Sequence, residues 1–119
     1  MESSIEVKGQ VITRQFKGET YLEDVMKSWE EIFEQFPDLH QYSGVIIDLL
    51  DAELMHEDRN MNPLAEYLMS HMERIRNLKI AVLMDSPMVT HTIILSQKVK
   101  QLQIKPFSHG DAAADWILN

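Results

Sequence analysis

Residues 79–102 read KIAVLMDSPMVTHTIILSQKVKQL, and this stretch decides the fold class. Residues 80–84 form a short, unbroken apolar run, which is typical of a strand buried on both faces of a parallel sheet. Ser86 can cap free amides, and Pro87 suits the first helical position, so the pair predicts that a helix starts there. The apolar side chains predicted to pack this helix on the sheet are Val89, Ile93, Val99 and Leu102. A strand that leads directly into a helix indicates an α/β protein.

Alternating strand and helix patterns fill the rest of the chain. A hairpin is predicted around Gly9, because this glycine separates two β-rich segments. Capping boxes predict helix starts at Thr20 with Glu23 and at Ser108 with Asp111. The predicted strands lie at 5–7, 11–16, 45–50, 80–84 and 103–107, and the other predicted helices lie at 21–35, 63–77 and 110–118. The order β-β-α-β-α-β-α-β-α predicts a single-domain α/β protein over 1–119, with a mixed, mostly parallel sheet.

Composition restricts the classes of partner. The 119 residues suffice for one domain with its own core, and no apolar run approaches the ~20 residues that a membrane span needs. The formal net charge of −8 argues against nucleic acid as a partner, because nucleic acid is bound by a surplus of Lys and Arg. There is no cysteine, and the first ten residues, MESSIEVKGQ, lack the pattern of a signal peptide. We therefore expect a cytoplasmic protein.

Two helix starts and three aspartates define the predicted binding edge. If the strands that precede Asn62 and Ser86 are parallel neighbours, the two helices direct free N–H groups toward the same edge of the sheet. Asp48, Asp51 and Asp85 are predicted to lie along that edge. An aspartate near the carboxyl end of a central strand can sit at a ligand crevice, or it can accept hydrogen bonds from loop amides. Both interpretations stand for Asp48.

The segment 51–61, DAELMHEDRNM, has no clean period and is longer than most strand-to-helix connections. Its apolar residues Leu54, Met55 and Met61 are candidates for a lid over an apolar pocket. The alternative is a loop that packs its own apolar side chains underneath itself.

Reactive or metal-binding constellations are sparse. None of the histidines, His40, His56, His71, His91 and His109, stands in a metal-binding spacing, and 56–58 reads more simply as a solvated charge run. Asp85, Ser86 and His91 have the residue types of a hydrolase triad, but Ser86 already has a capping role and no Gly-x-Ser-x-Gly turn surrounds it. No phosphate loop or dinucleotide fingerprint occurs, so no cofactor is predicted.

Three segments resemble the SpoIIAA-like branch of the STAS (sulfate transporter and anti-sigma-factor antagonist) superfamily. They are 44–50 (GVIIDLL), 80–87 (IAVLMDSP) and 104–118 (IKPFSHGDAAADWIL). The resemblance implies a mixed sheet with helices and a non-enzymatic role, either switching a partner protein or holding an apolar ligand. The antagonists carry a phosphorylatable serine at the start of the helix that here begins with Asn62-Pro63. Asparagine cannot be phosphorylated, so we do not expect that switch in this chain.

We therefore expect a non-enzymatic binding module that acts on a partner protein. The alternative is a carrier or sensor of a small apolar, lipid-like ligand, and hydrolysis at Ser86 is a third hypothesis. Apolar side chains of the first helix also suit a homodimer. The candidate binding residues are Asp48, Asp51, Leu54, Met55, Met61, Asn62, Asp85 and Ser86.

Overall fold

Five strands form one sheet in the order in which they occur along the chain. The computed structural model describes residues 2–55, 61–85 and 89–119. The strands are β1 (Glu2–Lys8), β2 (Val11–Thr20), β3 (Gly44–Leu54), β4 (Lys79–Leu83) and β5 (Gln103–Phe107). β1 is antiparallel to β2, and every other neighbouring pair is parallel. The prediction of a mixed, mostly parallel sheet is confirmed.

Helices follow or connect the strands in the predicted order. They are α1 (Leu22–Gln35), α2 (Asn62–Ser70), α3 (Met72–Ile75), α4 (Val89–Lys98) and α5 (Gly110–Leu118), with a short 3₁₀ turn at Leu39–Gln41. The predicted helix over 63–77 is divided at His71, whose ψ of 20° departs from helical geometry. α4 ends at Lys98, so Val99 and Leu102 are buried beyond the helix and not within it.

Strands β2 and β3 are both longer than predicted. The hairpin turn is confirmed at Gly9, whose φ of +57° suits glycine. β2 does not end near Phe16, because its last residues pair with an equally extended β3 as far as Thr20 opposite Leu54. Residues 51–54 therefore belong to a strand, and the predicted irregular segment is correspondingly shorter.

Both predicted capping boxes are wrong. Thr20 donates its hydroxyl to the carbonyl of Gly18, at 3.0 Å, and does not cap α1. The carboxylate of Asp24 instead accepts the backbone N–H of Tyr21, at 2.8 Å, which moves the start of α1 by one residue. α5 has the predicted range, Gly110–Leu118, but its N-cap is His109 and not Ser108. The predicted cap at Ser86 lies outside the described residues.

The main core fills the face of the sheet covered by α1, α2 and α4. Trp29 of α1 and Leu68 of α2 are both 2% exposed there. From α4, Thr92 and Leu95 face inward, whereas Ile93, predicted to be inward, is 43% exposed. The prediction for Ile93 was wrong because the inward face of α4 follows Thr92, a polar residue that the apolar pattern does not mark.

A smaller core lies on the opposite face, under α5. Ala113 and Ile117 are buried and Trp116 is half-buried. Gly44 permits the close approach, because a Cβ atom there would lie 2.3 Å from the carbonyl oxygen of Lys79 and 2.7 Å from Ile117 Cγ2. Any larger residue at position 44 would displace backbone or helix.

Candidate functional site

A β-bulge in β3 decides which side chains point to which face. The register pairs Gln15 with Asp48 but Lys17 with Asp51, so two steps along β2 match three steps along β3. The extra residue shifts the alternation of the strand by one position. The bulge therefore determines which face of the sheet each later side chain of β3 occupies.

Beyond the bulge, apolar and acidic residues separate. Ala52 and Leu54 pack against the main core, on the helix-covered face. Asp51 lies beside Gln15, with 3.5 Å between Gln15 Nε2 and its carboxylate, on the opposite face. Glu53 alternates with Leu54 and is exposed. The predicted acidic and apolar site residues consequently lie on different faces of the sheet.

Asp48 has a local structural partner. Its side chain is half-buried, and its carboxylate accepts the backbone N–H of Leu50 at 3.0 Å, inside the bulge. A bulge leaves a residue out of the regular ladder, and a side-chain acceptor satisfies the amide that is freed. This geometry corresponds to the structural interpretation of Asp48 given above.

The predicted edge has the expected strand arrangement. β3 and β4 are parallel neighbours, and Asp48 pairs in register with Leu83. Asp51 lies within β3, past the part of that strand that pairs with β4, and Asp85 lies just past the end of β4. Both are therefore at the same end of the β3–β4 pair, and both are exposed. Asn62 is the first residue of α2 and is exposed, whereas Ser86 lies outside the described residues.

An apolar cavity of about 60 Å³ lies between the sheet and helices α1, α2 and α4. Leu54 and Met61, two of the predicted lid residues, line it, and Met61 is only 4% exposed. Met55 is half-buried, is not in this lining, and donates its N–H to the carbonyl of Thr20 at 3.1 Å. An engineered apolar cavity of about 150 Å³ holds benzene, so the present cavity is smaller than such a ligand. In this conformation it accommodates no lipid chain.

A cleft of about 320 Å³, which the sequence did not predict, lies between α1 and the α2–α3 break. The ring of His71 lies between Phe33 and Tyr67, with centroid distances of 4.8 and 4.6 Å. The Arg74 guanidinium lies 5.1 Å from the Phe33 centroid, and Glu30 also lines the cleft. Phe33 fits the helical spacing of a core residue, and nothing in the sequence marks the break at His71.

Tyr67 brings a buried polar group to this region. Its hydroxyl has no hydrogen-bond partner among the described residues. Burial raises the pKa of the Tyr67 phenol above its ordinary value of 10.0, the negative charge of Glu30 raises this pKa further, and Arg74 lowers it. The neutral form of the side chain is the favoured one.

The last sequence-based hypotheses concern a metal site, a hydrolase triad and a membrane span. In the ranges 2–55, 61–85 and 89–119, no three His, Asp or Glu side chains are grouped so that they could hold a metal ion. The acidic run 56–58 and the side chains of Ser86 and His91 lie outside the described part, so the hydrolase hypothesis has no geometry to assess. Across the part of the chain that is described, no helix has the length and apolar character to cross a membrane.

No protein-family model and no curated protein matches this sequence. Among solved structures, an uncharacterised DUF3478-family protein with a SpoIIAA-like fold from Shewanella loihica PV-4 superposes with a TM-score of 0.65 at 14% identity, covering 98% of this chain and 92% of its own. An anti-sigma factor antagonist from Mycobacterium paratuberculosis gives 0.64 at 15% identity, covering 99% and 94%. The anti-sigma factor antagonist SpoIIAA in its unphosphorylated form gives 0.58 at 12% identity, covering 98% and 97%. The strand order, the helix order and these superpositions agree, and the chain has a SpoIIAA-like α/β fold.

Proposed function

We propose that this protein is a cytoplasmic, non-enzymatic regulatory module that binds a partner protein near the sheet edge where β3 and β4 end. The observation that carries the proposal is the contrast between a cavity of about 60 Å³ and the exposed groups at that edge. The groups available to a partner lie on the surface of the protein, and the interior has little room for a ligand. The lack of cysteine is compatible with a reducing compartment.

Exposed apolar side chains accompany the acidic edge. Ile93 and Ile94 of α4 are 43% and 38% exposed, and Met69 of α2 is 48% exposed. Large apolar side chains grouped on a soluble surface often mark sites of protein interaction. α4 starts at the end of the sheet where Asp51 and Asp85 lie, so one partner could contact these acidic groups together with Ile93 and Ile94, whereas Met69 lies at the far end of α2.

Fold neighbours support a binding role by analogy. Two of the superposed proteins are anti-sigma factor antagonists, and the superpositions span nearly the whole chain. A fold alone does not determine function, so the analogy adds to the surface argument and does not replace it. α2 begins with Asn62-Pro63, and segment 51–61 contains no serine, so the proposed binding operates without a phosphoserine there.

Affinity capture with a matched pair of variants tests the proposed surface. Ile94→Glu places a negative charge at the exposed apolar residues Ile93 and Ile94 of α4. Gln97→Glu places the same charge on an exposed polar residue one turn further along the helix. We expect a protein captured by the wild type and by Gln97→Glu, with its affinity for Ile94→Glu lowered about tenfold or more when measured by titration with the purified partner.

Equal affinity for both variants would place the partner elsewhere and contradict the proposal for this surface. Native mass spectrometry of the protein from its own source provides a second check, with the bare chain as the expected mass. A co-purifying apolar molecule that survives gentle buffer and is released by denaturation would show that the cavity opens further than its present volume. Ligand carriage, with Leu54 and Met61 in the site, would then replace the proposal.

A further inference from the structure

The outer edge of β1 has unpaired backbone groups. In the described ranges β1 pairs with β2 alone, and no strand lies on its other side. β1 is seven residues long and contains no proline, whereas β5, at the opposite edge of the sheet, has five residues and includes Pro106. Proline and short length protect an edge from pairing, and β1 has neither.

The hairpin determines which residues of β1 direct their backbone groups outward. Lys8 and Val11 flank the two-residue turn, so they form a hydrogen-bonded pair, and such pairs recur at every second residue. Glu2, Ser4 and Glu6 consequently direct their N–H and C=O groups toward β2. The outward-directed residues are Ser3, Ile5 and Val7.

We propose that β1 pairs with β1 of a second copy of this chain, antiparallel, with Ile5 opposite Ile5 of the partner subunit. This register opposes outward-directed residues only, since Ser3 then faces Val7 of the partner subunit. Each opposed pair of this kind exchanges two backbone hydrogen bonds, and the two five-stranded sheets become continuous. The proposal concerns a different surface from the partner-protein site above and does not depend on it.

Charge complementarity selects this register. Glu2 lies opposite Lys8 of the partner subunit, and the two-fold symmetry repeats the pair. A slip of two residues in either direction brings carboxylates together, with Glu6 opposite either Glu6 or Glu2 of the partner subunit. Opposed charges of opposite sign stabilise a strand pair, and like charges destabilise it. Among the described residues of the single chain, Lys8 forms an ion pair with the exposed Glu6 carboxylate alone, at 3.7 Å, and such an exposed pair contributes little, so the Lys8 charge is available.

The apolar side chains of β1 fit the same arrangement. Ile5 is half-buried against the main core, while Val7 lies 42% exposed on the same face of the strand. In the proposed dimer Val7 faces Ser3 of the partner subunit and lies diagonal to Ile5 of the partner subunit, within reach of a side-chain contact. The pairing therefore covers an apolar side chain that the single chain leaves in water.

Single-cysteine variants test the register, because the natural chain has no cysteine. Directly opposed, hydrogen-bonded residues have Cα atoms about 5.5 Å apart, which is within the range of a disulfide. We expect Ile5→Cys to form a disulfide-linked dimer under mild oxidation. The control is Ser3→Cys, whose two copies would lie about 14 Å apart. It should not cross-link alone, but it should cross-link to Val7→Cys when the two variants are mixed.

Sedimentation equilibrium tests the dimer without modifying the apolar positions. We expect a concentration-dependent monomer–dimer equilibrium for the wild type at low salt. Lys8→Glu should weaken dimerisation about tenfold, because two attractive pairs become repulsive, and Glu2→Lys combined with Lys8→Glu should restore it. A wild type that is monomeric at every concentration, a dimer that Ile5→Cys does not cross-link, or a double variant as weak as Lys8→Glu would each overturn the proposal. A monomer whose β1 pairs only with an unrelated extended peptide would also overturn it.

Discussion

On one face of the sheet three helices bury Trp29 and its neighbours almost completely, whereas on the other face α5 is the one described helix that packs on β3, β4 and β5. The second arrangement leaves Gln15 half-buried and Lys17 and Asp51 exposed, on the part of the sheet that no described helix covers. The difference separates two tasks. The helix-covered face supplies most of the burial that stabilises the fold, and the uncovered part of the other face tolerates polar and charged side chains.

Arg14 shows what a charge requires on the helix-covered face. It lies between the apolar residues Ile12 and Phe16 of β2 and is 5% exposed. Its guanidinium binds the Glu31 carboxylate at 2.6 Å, and its Nε has no hydrogen-bond partner in the described part of the chain. A buried cation is tolerated when a carboxylate pairs with it, which is the condition that α1 meets here.

The largest predicted effect comes from making the same substitution on both faces. Trp29→Ala removes a side chain that is 2% exposed at the centre of the main core, and we expect a loss of about 3–5 kcal/mol in the free energy of unfolding. Trp116→Ala removes a half-buried ring that packs on Phe107 with centroids 5.5 Å apart, and we expect a loss of about 1–2 kcal/mol. Urea unfolding monitored by circular dichroism measures both.

Trp116→Ala is the matched control, because it removes the same atoms from the other face. The comparison of the two faces would fail if both variants lost the same free energy. A larger loss for Trp116→Ala would show that α5, and not the three-helix layer, dominates stability.

A smaller effect distinguishes two aspartates of the predicted site. Asp48→Ala removes the carboxylate that accepts the Leu50 N–H at 3.0 Å, so the bulge loses its acceptor and we expect a loss of about 1–2 kcal/mol. Asp51→Ala changes an exposed side chain beyond the bulge, and the expected change is within about 0.5 kcal/mol. Thermal and urea unfolding of the two variants make the comparison.

The same pair of variants sharpens the functional assignment. If Asp51→Ala destabilises as much as Asp48→Ala, the acidic edge is part of the fold and not a free surface. Binding to the captured partner should respond in the opposite order, with Asp51→Ala weakening it while the fold remains intact. Unchanged binding would remove Asp51 from the proposed surface.

Much of the fold could be predicted from local patterns. The apolar run at 80–84 and the period of α1 both report burial directly, because each side chain's face follows from its spacing along the element. The five strands and the main helices were therefore predictable. The exact helix starts were not, since Thr20 and Asp24 both offer a capping oxygen and only the path of the chain selects between them.

The candidate site was harder to predict because it depends on one register shift. Asp48 and Asp51 were predicted to lie along the binding edge and Leu54 to belong to a lid, and the bulge at Leu49 and Leu50 places the two aspartates on one face of the sheet and Leu54 on the other. The bulge shifts the alternation of β3 at two adjacent leucines, and consecutive apolar residues are equally typical of a strand buried on both faces, so the pattern did not reveal it. The cleft beside His71 was missed for the same kind of reason, because a break within a helix-compatible stretch has no signal in side-chain type.

The smallest predicted effect tests whether the buried hydroxyl of Tyr67 lowers the stability of the helix-covered face. Burial raises the pKa of this phenol above 10.0, so the folded state holds its proton more tightly than the unfolded state does. Below pH 10 the phenol is protonated in both states, and the free energy of unfolding decreases as the pH rises from there through the folded-state pKa. Tyr67→Phe should remove this part of the pH dependence, which urea unfolding between pH 9 and 11 measures.

Tyr67→Phe should also stabilise the fold near neutral pH by about 1 kcal/mol, because the buried hydroxyl has no partner among the residues described and its desolvation is then avoided. Tyr42→Phe, on the half-buried ring that meets Phe36 edge-on, is the control and should leave both the stability and its pH dependence nearly unchanged. If Tyr67→Phe were destabilising, the hydroxyl would have a hydrogen-bond partner in solution. The helix-covered face would then have no unsatisfied hydroxyl at Tyr67, and the difference in stability between the two faces would be larger than the geometry alone indicates.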